Sequence, residues 1–228
     1  MTTRTKVALF DLDHTLLPID SDFSWGEFVQ AIGWADRETF RRRNDAFYEQ
    51  YKAGTLDMHA YVRFVTEAAR LRGRDEAFAA RERYMREVIE PAIRPEAQDL
   101  VRRHQEAGDK VLIISATNDF VTSPIALAFG IDELIATRLA VGADGWITGE
   151  IEGVPSLREG KVTRFEEWLA ANDLRWDSVE TTFYSDSIND VPLLERVDHP
   201  VATNPEQRLR TIAAQRGWRI LDLFSPTA

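Results

Sequence analysis

Short apolar runs recur along the chain, and the stretches between them carry apolar residues at helical spacing. Lys6–Phe10 (KVALF), Lys110–Ser115 (KVLIIS) and Thr181–Ser185 (TTFYS) read as buried strands. His199–Thr203 (HPVAT) reads as a weaker strand, with Pro200 favouring its start or an edge. A short strand is expected near Ile220. Pro95–Ala107 predicts a helix stopped by Gly108, and Gly160–Ala171, apolar at Val162, Phe165, Trp168 and Leu169, predicts another. Strands alternating with helices argue for an α/β fold, a Rossmann-like parallel sheet covered by helices.

Two segments break this rhythm. Ile19–Ile93 is almost wholly helical in pattern, with Gly54 as a break and Asp57 as a helix cap. Roughly seventy residues between successive strands exceed an ordinary connection. The segment therefore reads as an inserted all-helical cap domain, residues 19–92, on a discontinuous core of residues 1–18 and 93–228. Ile135–Gly153 alternates apolar and polar residues around Gly142 and Asp144-Gly145, which predicts a small twisted β-hairpin.

Composition narrows the function. The 228 residues are 44% apolar, enough for a sizeable core, and no apolar run approaches the ~20 residues of a membrane span. The opening MTTRTKVALF makes a poor secretion signal, so a cytoplasmic protein is expected. A net charge of −10 argues against nucleic-acid and anionic-membrane partners. The absence of cysteine excludes disulfides, thiolate catalysis and Cys-ligated zinc, and no two of the four histidines have the spacing of a helical zinc motif.

Acids crowd the ends of the strands. Asp11 follows the first, and three more carboxylic acids arrive by Asp22. Ser115 ends the second run, and Ser185, Asp186, Ser187, Asn189 and Asp190 follow the third. Ligands of parallel sheets bind beyond the carboxyl ends of the strands. If these three strands are neighbours, carboxylates and a hydroxyl meet at one edge, where like charges need a cation to join them. An all-oxygen donor set suits Mg2+, with Asp11 and Asp186 as the natural direct pair. Taken one at a time, each acid is equally at home in a turn or a helix cap.

FDLDHTL, VLIISAT, LREGKVTRFEEWL and FYSDSINDVPLLE resemble, in order, the four motifs of the haloacid dehalogenase-like phosphatases. The helical insert and VATNPEQRLRTIAAQRGWRIL resemble the phosphoserine-phosphatase branch. The resemblance implies that Asp11 attacks phosphorus and becomes an aspartyl phosphate, while Asp13 protonates the leaving alkoxide and then takes a proton from water. It also implies that Mg2+ is held by Asp11, the Asp13 main-chain carbonyl and Asp186, with Asp190 fixing its water shell. Ser115 would donate to a phosphoryl oxygen, Lys161 would neutralise charge on Asp11 and phosphate, and Asn189 would orient phosphate or its loop. Thr15 would tie its turn together. Lys161 sits at a helix start, where the dipole prefers anions, a conflict that a nearby phosphate would resolve.

The implied function is Mg2+-dependent hydrolysis of a small phosphorylated metabolite. Asp20 stands where the branch carries an amine-binding Glu, and Arg63 lies in a helix where it supplies a carboxylate-binding Arg. An amino-bearing ester follows from Asp20, with phosphoserine and histidinol phosphate both open. His14 replaces a small residue and is expected either to contact substrate or to fill the cap interface. Trp25, Phe28, Phe23 and Trp34 are expected to form the core of the insert rather than a pocket, and Phe120 to meet the insert near the site. A phosphomutase on this scaffold, a non-catalytic phosphoryl-ligand binding protein and a signalling receiver domain are the alternatives.

Overall fold

In the computed structural model, which describes residues 4–224, alternate residues of the strands feed two separate cores. The outermost residues of the expected core, 1–3 and 225–228, lie outside the described residues, as does the start of the stretch weighed as a secretion signal. β1 (Thr5–Phe10) leads into α1 (Ser21–Ala31), α2 (Arg37–Ala53), α3 (Met58–Arg72) and α4 (Arg74–Tyr84). A π turn at Met85–Ile89 and α5 (Glu90–Ala92) close that run. α6 (Pro95–Glu106), β2 (Lys110–Asn118), α7 (Asp119–Ala128) and β3 (Glu133–Thr137) follow. Then come a hairpin of β4 (Leu139–Val141) and β5 (Ile147–Ile151), α8 (Glu159–Ala171), β6 (Val179–Ser185), α9 (Val191–Leu194), β7 (His199–Thr203), α10 (Gln207–Arg216) and β8 (Arg219–Leu221).

Ala8 and Phe10 face one layer with Leu100 and Val101 of α6 and Val121 and Ile125 of α7. Val7 and Leu9 face the other, with Phe165 and Leu169 of α8 and Leu209 of α10. Burial on both faces is why these strands read as unbroken apolar runs. All pairings in the main sheet are parallel, in the order β3-β2-β1-β6-β7-β8. Chain order reverses between β1 and β6, the switch point at which such sheets open a crevice. Pro200 sits second in β7, an interior strand, so it marks a strand start and not an edge.

The alternation from Ile135 predicts a hairpin throughout, but Glu133–Thr137 pairs with β2 as a sixth strand of the main sheet. The hairpin proper begins at Leu139 and packs against α3. Caps in the helices between β1 and α6 follow the sequence: α2 ends at Gly54 with φ 75°, and the Asp57 side chain accepts from Ala60 N at 3.0 Å. Trp25 and Phe28 are buried against Tyr84, and Phe120 packs on Trp25. Trp34 is partly buried against the same core. Phe23 departs from expectation: it is 49% exposed and turns to the crevice, because the first turn of α1 runs along that opening. Among the described residues, no helix is long and apolar enough to cross a membrane.

Candidate active site

β1, β2 and β6 are adjacent, so the residues after them converge. Asp11 N donates to Tyr184 O at 2.9 Å, which extends the β1–β6 pairing by one residue. The crevice beyond them has a volume of about 550 Å³. Asp11, Asp13, Ser115, Lys161, Asp186, Asn189 and Asp190 all line it, as do His14 and Asp20.

Lys161 Nζ, almost fully buried, donates to Asp11 Oδ1 at 2.8 Å and Asp190 Oδ2 at 2.7 Å. Burial opposes its charge, yet Asp11 and Asp190 push its pKa upward on balance. These acids, brought in from other elements, answer the unfavourable placement of a lysine at a helix start. Asp190 Oδ2 also accepts from Ser185 Oγ at 2.6 Å. Burial, partly offset by Lys161 and reinforced by Asp11, raises the Asp190 carboxyl to about 6.

Thr15 does more than tie its own turn. Its hydroxyl lies 3.5 Å from Asp11 Oδ2 and 3.4 Å from Asp186 Oδ1, and it accepts from Asp186 N at 3.0 Å. Two carboxylates thus meet at one hydroxyl. Burial raises the Asp186 pKa well above the usual range, and repulsion from Asp11 and Asp190 raises it further against Lys161. Asp13 points elsewhere. Ser21 N donates to its Oδ1 at 2.8 Å and Thr117 Oγ1 to its Oδ2 at 2.9 Å. Burial first, then repulsion from Asp20 and Asp11, holds Asp13 well above the ordinary carboxylate range despite the Ser21 hydrogen bonds.

The chemistry of the donors sets what this cluster can hold. Among the described residues, no group of three or more His, Cys, Asp or Glu side chains forms a metal cage. Asp190 and Asp11 Oδ1 are taken by Lys161, and Asp13 by Ser21 and Thr117, which leaves Asp11 Oδ2 and the Asp186 carboxylate facing each other across the Thr15 hydroxyl. Two carboxylates beside an open crevice fit a hard, oxygen-seeking cation that keeps room for further oxygen ligands.

Arg63, expected to bind a substrate carboxylate, lies outside the crevice. It pairs with Glu150 of β5 at 3.1 Å and is about half exposed. The packing of α3 on the hairpin turns that helix face away. His14 adopts φ 57°, a left-handed backbone that small residues take up more easily, and its carbonyl accepts from Asn204 Nδ2 at 3.0 Å. The Asp20 carboxylate caps α1, accepting from Phe23 N at 2.8 Å.

Sequence reasoning missed three features. Asp22 lines the crevice, as do Phe47, Tyr48 and Tyr51 of α2 and Tyr61 of α3. Thr117 falls among the residues expected after the second strand, but its hold on Asp13 has no signal in the sequence. Arg158, at φ 54°, bridges α2 and the fourth-motif loop: its Nη1 donates to Gly54 O at 2.7 Å and its Nε to Asn189 Oδ1 at 3.0 Å. Only the left-handed backbone of Arg158, invisible in the sequence, marks it as unusual.

A Cβ on Gly54 would collide with the Arg158 guanidinium, and φ 75° disfavours any side chain. Gly54→Ala is therefore expected to cost about 2 kcal/mol, or roughly 4–8 °C in Tm for a chain of this size. Thermal unfolding checks it, and a variant as stable as wild type would show that this contact does not hold α2 in place.

The haloacid dehalogenase-like hydrolase family model matches residues 8–195, and the chain belongs to that family. Within it, the chain is 41% identical over 218 residues to a Neisseria meningitidis protein named histidinol-phosphatase, covering 95% of this chain and 98% of the relative. A crystal structure of a Bordetella pertussis Tohama I protein superposes with TM-score 0.91 at 48% identity, covering 97% of this chain and all of that one. A substrate-bound phosphoserine phosphatase shares the fold, with TM-score 0.65 at 18% identity over 96% of this chain and 94% of that one.

Proposed function

We propose that the protein is a Mg2+-dependent phosphomonoesterase that works through an aspartyl phosphate, and that its substrate is amino-bearing and lacks a carboxylate. Histidinol phosphate meets that description and phosphoserine does not. The observation carrying the substrate choice is the lining of the crevice: among the described residues that form it, Lys161 is the only Lys or Arg, and it is already paired twice. A substrate carboxylate placed among Asp20, Asp22 and Glu206 would lose its hydration with no cation to compensate. An ammonium or imidazolium would gain there. The Neisseria relative's name points the same way. The helices between β1 and α6 act in this reading as the cap that sets specificity.

Asp11 and Asp186 would hold the cation with the Asp13 carbonyl, and the bound ion would supply positive charge to the phosphoryl oxygens. Asp11 attacks phosphorus as the ester bond breaks, and Asp13 gives its proton to the departing alkoxide. Asp13 then takes a proton from the water that cleaves the acyl phosphate, releasing phosphate and restoring Asp11. A carboxyl held above its usual range is suited to donating that first proton. Ser115, buried beside the crevice, donates to phosphate, and Lys161 balances its charge. Asp190 aims Lys161, and Asn189 orients its loop through Arg158.

Dialysis against EDTA is expected to cut phosphate release at least about a hundredfold, and added Mg2+ to restore it. Wild type should hydrolyse histidinol phosphate with kcat/KM at least about tenfold above that for phosphoserine. Undiminished turnover in EDTA would sink the metal reading, and a preference for phosphoserine would sink the substrate reading.

A further inference from the structure

We propose that Asp22, held by Tyr61 and Asn118, is the residue that recognises the cationic group of the substrate, and that Asp20 is not. This rests on the phosphatase reading above and gives it a specificity-determining side chain. The class of ligand is a small phosphomonoester carrying a protonated amine or an imidazolium.

Asp22 lies in the first turn of α1, lines the crevice and is only 6% exposed. Tyr61 Oη donates to its Oδ2 at 2.6 Å, and Asn118 Nδ2 to its Oδ1 at 3.3 Å. Both donors are neutral, and among the described residues no Lys, Arg or His forms an ion pair with Asp22. Burial, with a smaller push from Asp20 and against the Tyr61 hydrogen bond, raises its carboxyl to about 7. Each carboxylate oxygen answers one of these donors, yet neither donor carries a charge to balance it. A buried acid with no counter-ion, on the wall of a ligand cavity, is what a cationic ligand requires.

Its position suits the reacting end. Asn118 directly follows Thr117, which donates to Asp13, so consecutive residues of β2 hold the two acids. Asp22 and Asp11 line the same crevice, so a small ester bound at Asp11 shares that space with the cation subsite. Phe23, Phe47 and Tyr48 line the same crevice and offer aromatic surface to an ammonium or an imidazole ring. Asp20, in contrast, spends its Oδ1 on the α1 cap.

The test compares histidinol phosphate with p-nitrophenyl phosphate, which has no amine, across wild type, Asp22→Asn and Asp20→Asn. The readout is the ratio of kcat/KM for the two esters, which cancels any general damage to the phosphoryl site. Asp22→Asn should lower that ratio at least about tenfold, mainly through KM for histidinol phosphate, while Asp20→Asn moves it by less than about threefold. If Asp22→Asn does not fold, Asp22→Glu, which displaces the charge by one methylene, should lower the ratio by about threefold or more. An unchanged ratio in the folded Asp22 variant, or a larger fall in Asp20→Asn, overturns the assignment. So does a wild-type enzyme that hydrolyses both esters without preferring the amine. Wild type releasing phosphate from neither ester is a different failure, and it removes the phosphatase reading itself.

Discussion

Asp11→Asn is expected to lower phosphate release from any phosphomonoester by at least about 10⁴-fold while leaving a folded protein. Asparagine has the shape of aspartate and still offers an oxygen to Lys161, whose second partner, Asp190 at 2.7 Å, is untouched. The amide cannot form an acyl phosphate by displacing an alkoxide, so the loss should fall on kcat. Removing Asp11's charge also relieves the repulsion it exerts on Asp186, so no large fall in Tm is expected. Phosphate release and trapping of an acid-stable phosphoenzyme in wild type and variant check the result. A variant keeping a few per cent of wild-type turnover would mean that water attacks phosphorus directly, and the aspartyl-phosphate route would have to be abandoned.

The strands that carry the candidate catalytic residues were legible because burial on both faces leaves an uninterrupted apolar run, and each run stops where the crevice starts. β3 was not. Glu133–Thr137 opens on an exposed glutamate and has a single neighbour, and its alternation merges with that of the hairpin behind it. The site divides in the same way. Residues anchored to strand ends, such as Asp11, Ser115 and Asp186, line the crevice where the sequence places them, because the end of a strand fixes their position in space. Residues on the insert's helices depend on helix phase and on where each helix docks. Arg63 was expected in the site and faces Glu150 instead. Asp20 and Asp22 are two residues apart, yet one is consumed as a cap and the other buried, a distinction that lies in where α1 begins. α2 buries no residue of its own, so Phe47 and Tyr48 gave no core signal, although they help to wall the crevice.

Lys161→Met should produce the largest loss of stability. The change removes the cation shared by Asp11 and Asp190 and leaves two buried carboxylates facing Asp186. Breaking a buried pair by deleting one partner costs about 3–5 kcal/mol, which for a chain of this length is roughly 6–20 °C in Tm. The pH dependence follows from the direction of each shift. Lys161 is held above the ordinary lysine range, so its contribution is present in full below about pH 10 and does not fade between pH 6 and 9. In the variant, Asp190 loses the charge that holds it down and moves above about 6. An acid raised in the folded state binds its proton more tightly there than in the unfolded chain, so the variant's stability rises as pH falls through that window. The difference in Tm between wild type and Lys161→Met should therefore be widest near pH 8 and narrow toward pH 5. Thermal unfolding in metal-free buffer across that range measures it. A difference that widens toward pH 5, or a variant as stable as wild type at pH 8, would mean that the Asp11 and Asp190 charges are balanced by something other than Lys161.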